Sequence, residues 1–319
     1  MKKAVVSLLF FLMVLLPTGL SAQKTDKYEK VITEARQREI VERLCSKEME
    51  GRGSGTKGGN AAGEYILARF RDLELKPFYY KEIQSFRHHG NIQMRNIMGV
   101  VPALEPSDDY IIVSAHYDHL GNIKGKVYPG ADDNASGVAA LLTVAEMFSQ
   151  MRRDSVGPGV NILFIAFDGK EYSMAGSNNF VRNLPFAASQ VLCEINLDIL
   201  GSTLVPLHKN KPEYMIVLGR NTLPQKYWST ISSENYSKGL GLDLDYTFYG
   251  SDDFTKTMYK LGDHYPFHLK GIPALLFTSG FHEHTLKTSD TPEIINYPVL
   301  AKRTRLIFRT VNSIARMGR

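Results

Sequence analysis

Four short clusters in this 319-residue chain carry imidazoles and carboxylates of the kinds that hold metal ions or move protons. They are Ser114-Ala115-His116-Tyr117-Asp118-His119, Gly130-Ala131-Asp132-Asp133-Asn134-Ala135-Ser136-Gly137, Phe167-Asp168-Gly169-Lys170-Glu171 and Ile195-Asn196-Leu197-Asp198. His116 and Asp118 are two residues apart, so in extended backbone they share a face. That spacing suits a metal-ligating imidazole whose other nitrogen is held by a carboxylate. Taken singly, an Asp before a helix is more often an N-cap, and a histidine at a strand end is usually just hydrogen-bonded. Their convergence carries more weight, because one imidazole and several carboxylates each fall just past an apolar run. Nitrogen and oxygen donors in such a set suit zinc or a similar divalent ion.

Those apolar runs are the elements that must position the clusters. Short β-branched stretches predict strands at 78–86, 92–102, 110–115, 160–167, 191–197, 214–219 and 273–277. Helical spacing of apolar residues predicts helices at 27–48, 136–150, 174–183, 223–236 and 296–316. Tyr110-Ile111-Ile112-Val113 and Ile162-Leu163-Phe164-Ile165 are apolar on both faces, as in strands covered by helices on each side. The expected fold class is therefore α/β, a three-layer αβα sandwich whose mixed, mostly parallel central sheet carries helices on both faces. In such a sheet, functional residues belong at the carboxyl ends of strands. Gly51 to Gly63 reads as a Gly-rich connector leading into a helix through Tyr65, Ile66, Phe70 and Leu73. It lacks the spacing of a phosphate cradle.

Composition narrows the field. With 43% hydrophobic and 22% charged residues the chain is neither disordered nor fibrous. The net charge of +5 is small, and no Lys/Arg block of the kind that binds nucleic acid is present. Residues 1–22 read as a secretory signal: Lys2 and Lys3, then the apolar run Ala4 to Leu16, then Ser21-Ala22. At 13 residues that run is short for a membrane span, which needs about 20. The expectation is a protein exported to the periplasm or medium, with residues 23–319 forming one α/β domain and the helices of 27–75 packing on its core. Cys45 and Cys193 permit one disulfide but read as small buried side chains.

The motifs resemble those of the co-catalytic zinc aminopeptidases of the bacterial leucyl aminopeptidase type. Glutaminyl cyclases, plasma glutamate carboxypeptidase and the transferrin-receptor ectodomain share that fold. The resemblance runs from about Leu44 to the C-terminus. It includes Glu50-Gly51-Arg52, Ala115-His116-Tyr117-Asp118, Gly130 to Gly137, Asp198, Asp263-His264-Tyr265-Pro266-Phe267, Gly271-Ile272-Pro273-Ala274 and Ser289-Asp290-Thr291-Pro292. It implies a zinc-exopeptidase-like fold, a peptide substrate, and hydrolysis of N-terminal peptide bonds by metal-activated water. It puts His116 and Asp198 on one metal and Glu171 on the other, with Asp133 bridging and Asp118 orienting His116.

Two residues depart from that pattern. Lys170 stands at the general-base position, where a protonated amine accepts no proton. An ammonium about 4 Å from a dication is repelled by ~8 kcal/mol at an effective dielectric near 20. Leu286 stands where the fifth ligand, a histidine, belongs, and His282 and His284 are the candidate substitutes. The expectation is that the Lys170 ammonium pairs with Asp133 and Glu171 in the vacated half, while His116, Asp133 and Asp198 keep one zinc ion. One ion is thus favoured over two. Two other functions share the scaffold: a non-catalytic protein binding a peptide or partner, and a glutaminyl cyclase-like enzyme.

Overall fold

The computed structural model describes residues 26–88, 90–205, 210–236 and 239–318, so the signal expected at 1–22 lies outside the described residues. Eight α-helices occur among them: α1 (Glu34–Leu44), α2 (Lys57–Asp72), α3 (Gly137–Arg153), α4 (Ala175–Arg182), α5 (Thr230–Tyr236), α6 (Asp252–Tyr259), α7 (Tyr265–Leu269) and α8 (Tyr297–Met317). Several begin at a side chain that accepts an orphan backbone N–H. Thr33 caps α1, Thr56 caps α2, Ser251 caps α6 and Asn296 caps α8, where Pro298 occupies the first turn.

The strands are β1 (Ile83–His88), β2 (Ile92–Val101), β3 (Tyr110–His116), β4 (Gly121–Ile123), β5 (Lys126–Tyr128), β6 (Asn161–Phe167), β7 (Val191–Leu197), β8 (Tyr214–Leu218), β9 (Asp243–Asp245) and β10 (Ala274–Thr278). Eight form one mixed sheet in the order β1-β2-β6-β3-β7-β10-β8-β9, while β4 and β5 make a separate hairpin. Its centre, β6-β3-β7-β10, is parallel throughout. Ile111, Val113 and Ala115 of β3 point into one large core with α1, α2, α3 and α8. Ile112 points to the other side, where Phe180 of α4 and Phe267 of α7 pack. This is the three-layer αβα arrangement read from the doubly apolar strands. The parallel register sets His116 beside Phe167, and Ser114 beside Asn196, so the carboxyl ends of β3, β6 and β7 finish together.

Some elements differ from the sequence expectation. The strand expected at 78–86 is confined to β1, because the chain turns at Tyr79 and Tyr80, both with positive φ. The helix expected at 223–236 shrinks to α5, behind two short 3₁₀ turns on either side of Pro224. The hairpin β4–β5, strand β9 and helices α6 and α7 were not anticipated. Neither cysteine is in a disulfide; Cys193 is buried and Cys45 half-buried.

The Gly-rich connector is also shorter than expected, since α2 already begins at Lys57. Its glycines serve close packing. A Cβ on Gly58 would lie 2.1 Å from the Met49 carbonyl oxygen, and one on Gly59 would lie 2.2 Å from that of Gly53. A helical Gly→Ala change in open space stabilises by about 0.5–1 kcal/mol. Here Gly58→Ala should instead destabilise by about 1–3 kcal/mol through overpacking. Thermal unfolding should then show a lower midpoint, by about 2–4 °C per kcal/mol; a raised midpoint would show that the backbone contact yields freely.

Candidate metal centre

The site is assembled at the carboxyl ends of the parallel strands. His116 ends β3, Asp198 follows β7, and Lys170 and Glu171 follow β6 by three and four residues. Asp133 arrives on the turn that opens α3. Asn134 joins the pieces: its amide donates to the carbonyls of His116 and Leu197, and its side-chain oxygen accepts from the N–H groups of Gly137 and Ile199.

Arg52 locks the two ligand-bearing loops together. Its guanidinium is fully buried and donates to the carbonyls of Leu44, Tyr117, Pro129 and Gly130, at 2.6–2.9 Å. A planar fork with five donors can serve four acceptors at once, which a lysine cannot.

Two triads meet at Asp133. In the first, His116 Nε2 lies 3.4 Å from Asp133 Oδ1 and 3.3 Å from Asp198 Oδ1. In the second, His119 Nδ1 lies 3.8 Å from Asp133 Oδ2 and 3.7 Å from Glu171 Oε1. Each set offers three donor atoms within 4.8 Å of one another. His119 was missed as a candidate in the sequence, although it stands in the same cluster as His116. Its ring rests against Gly130, whose φ is +59° and where a Cβ would lie 2.6 Å from the imidazole.

The remaining predicted residues depart from expectation. Lys170 Nζ sits 3.2 Å from Asp198 Oδ2, on the His116 side of the site, rather than pairing with Asp133 and Glu171. Burial opposes its charge, but Asp198, Asp133, Asp263 and Glu171 outweigh burial and keep the amine protonated. The orienting contact to His116 Nδ1 is made by the backbone carbonyl of Asp118 at 3.0 Å, with the carboxylate 3.8 Å away. That carboxylate instead accepts the N–H groups of Lys170 and Glu171 and the Ser54 hydroxyl, fixing the turn after β6. Burial, aided by Asp168, pushes Asp118 up to about 7.

Neither candidate substitute histidine reaches the site. His282 Nε2 pairs with Asp132 Oδ2 at 3.0 Å, and His284 Nδ1 bonds the Ser289 hydroxyl at 2.9 Å. Asp132 is a structural carboxylate, which also accepts from the Ser136 hydroxyl and the N–H groups of Gly201 and Ser202. Leu286 is 50% exposed and has φ +59°.

Burial holds the His119 imidazole neutral, with its pKa pushed down to about 4. His116 is shifted the other way: burial opposes its charge, but Asp198 and Asp133 outweigh it. Replacing Arg52 by methionine removes four charge-assisted hydrogen bonds and leaves buried carbonyls unpaired. The expected cost is at least about 3 kcal/mol, read as a lower urea midpoint at unchanged slope.

Residues 96–311 match the family model described as peptidase family M28. A probable zinc metalloprotease of Pyrenophora tritici-repentis is 27% identical over 259 residues, covering 72% of this chain and 58% of that protein. The aminopeptidase YwaD of Bacillus subtilis is 31% identical over 196 residues, 60% of this chain and 36% of that protein. The chain thus spans less than two thirds of the length of either relative. Its fold is similar to the solved structure of a zinc aminopeptidase from Bacillus subtilis, with TM-score 0.71 and 15% identity over 89% of this chain and 96% of that one.

Proposed function

The chain belongs to peptidase family M28, and from that membership we propose that it is an exported, zinc-dependent exopeptidase of the aminopeptidase type. The observation that carries the reading is the pair of triads joined at Asp133 where the parallel strands end. Their chemistry fits zinc, since all donors are imidazole nitrogens and carboxylate oxygens. The buried His119 ring, moreover, has no hydrogen-bond partner for either nitrogen among the described residues. When bound, zinc supplies Lewis acidity that lowers the pKa of a water molecule and polarises a carbonyl.

The residues of the chain divide the remaining work. The Asp118 carbonyl fixes the His116 ring, so that Nε2 faces Asp133 and Asp198. Asp133 offers one oxygen to each triad. Lys170 neutralises Asp198 and places a positive charge on the wall of the recess beside the triads. It takes no proton, so general-base assistance is absent from this position and turnover is slow. Asp133, Asp198 and Glu171 gather three carboxylates around Lys170 and the two imidazoles, and the space they share suits a divalent ion. Beside Lys170 and Asp198 opens a small recess lined by Phe248, Met258, Leu261, Leu276 and Phe281. Its apolar lining suits an uncharged first side chain on a peptide substrate.

Export rests on Lys2, Lys3 and the apolar run from Ala4 to Leu16. No described helix is long and apolar enough to cross a membrane. In an assay with leucyl p-nitroanilide, the zinc-loaded protein should show slow hydrolysis that stops when a chelator removes the metal. Lys170→Glu should raise kcat by roughly 10²–10⁴-fold, the usual contribution of a general base. Chelator-insensitive hydrolysis, or a Lys170→Glu variant slower than the parent, would overturn this reading.

A further inference from the structure

The two triads are not equivalent. The first is satisfied by its own chain: His116 Nε2 contacts two carboxylates, its Nδ1 meets the Asp118 carbonyl, and Asp198 carries the Lys170 ammonium. Every polar group there has a partner without any ion. The second is unsatisfied. His119 is 1% exposed, and neither ring nitrogen has a hydrogen-bond partner among the described residues. Buried polar groups left unpaired are costly and call for a ligand, ion or water.

Geometry separates the triads further. Ligand bonds of about 2.0–2.2 Å around a tetrahedral ion set donor–donor edges of about 3.3–3.6 Å. The His119 edges of 3.8 Å to Asp133 and 3.7 Å to Glu171 need to close by only a few tenths of an ångström. The His116 triad has suitable edges as well, but an ion there would share Asp198 with an ammonium 3.2 Å from its carboxylate. At about 4 Å, such a cation and a dication repel by ~8 kcal/mol.

We propose that His119 is a metal ligand, and that one zinc-class divalent ion seats on His119, Asp133 and Glu171 while the Lys170 ammonium fills the His116–Asp198 half. The proposal rests on the zinc reading above and specifies its seat. It reverses the half expected to stay occupied, and it accounts for the leucine at 286. The imidazole lost from the loop before Asp290 is replaced by one from the turn after β3.

The test strips the purified protein with chelator and titrates zinc back against a competing fluorescent chelator, with His119→Ala and His116→Ala alongside. A zinc-edge anomalous map of the zinc-loaded wild-type crystal gives the position independently, and decides the matter if a variant fails to fold. The wild type should bind one ion, with its anomalous peak between His119, Asp133 and Glu171. His119→Ala should weaken zinc by more than the roughly 10–100-fold typical of a second-shell change, and His116→Ala by less than about tenfold. Metal-free His119→Ala and metal-free His116→Ala should each keep one cooperative melting transition, though at a lowered midpoint because each opens a buried cavity, which separates ligand loss from misfolding. A peak beside His116 and Asp198, or two ions, overturns the proposal and leaves the zinc reading standing. Loss of affinity in His116→Ala but not in His119→Ala does the same. Absence of zinc binding by the wild type overturns both.

Discussion

The buried guanidinium of Arg52 is the interaction on which the centre depends. Among the described residues it forms no ion pair; its charge is spread over four backbone carbonyls, from Leu44 at the end of α1, Tyr117 after β3, and Pro129 and Gly130 before α3. The last three belong to the segments that carry His119 and Asp133, and the first ties both to the end of α1. A cation taken out of water must be fully coordinated, and satisfying it leaves the segments no freedom to separate. The backbone of Gly51 is pressed against the hairpin β4–β5, where a Cβ would lie 2.4 Å from the Tyr128 carbonyl oxygen. The hairpin, the first turn after α1 and the two ligand loops therefore form one packed unit.

Around that unit the carboxylates fall into two kinds. Asp132, Asp168, Asp118 and Asp290 each accept backbone N–H groups: from Gly201 and Ser202, from Arg95, from Lys170 and Glu171, and from Asp132 and Asp133 respectively. Their lone pairs are spent holding turns in place. Among the described residues, the carboxylates of Asp133, Asp198 and Glu171 meet only imidazole and ammonium groups, and so keep oxygens directed at a common space. Structural carboxylates thus present the ligating ones. Asp290 grips the N–H groups of Asp132 and Asp133, and Asp132 in turn occupies His282, which is why that histidine cannot serve the centre.

The changes at Lys170 and Leu286 are compensated differently. Lys170 brings a positive charge into a group of acids, and it settles on Asp198, the acid that does most to keep the amine protonated. The Leu286 position is simply vacated, its side chain half out in solvent. The second imidazole comes from the turn after β3, three residues beyond His116, because the chain bends against Gly130 and turns the His119 ring toward Asp133 and Glu171.

The sequence alone determined whatever depends on local periodicity and on the rule that parallel sheets bear function at strand ends. Strands apolar on both faces required helices on both sides, and His116, Asp133, Glu171 and Asp198 had to gather because each follows a strand or opens a helix at the same edge. The clash of Lys170 and Leu286 with a two-metal site was legible only through the resemblance to the zinc aminopeptidases, which marks those two positions; side-chain chemistry then says that neither residue fits. Only the tertiary structure decided where long or off-period side chains point. Lys170 has a flexible stem, and its partner is chosen by the summed field of four acids from different elements. His119 lies outside the extended backbone, so no spacing rule aims its ring. The helical start at Lys57 depends on contacts with Met49 and Gly53 that local propensity argues against. The commitment of His282 to Asp132 joins residues 150 positions apart, a separation that no local pattern encodes.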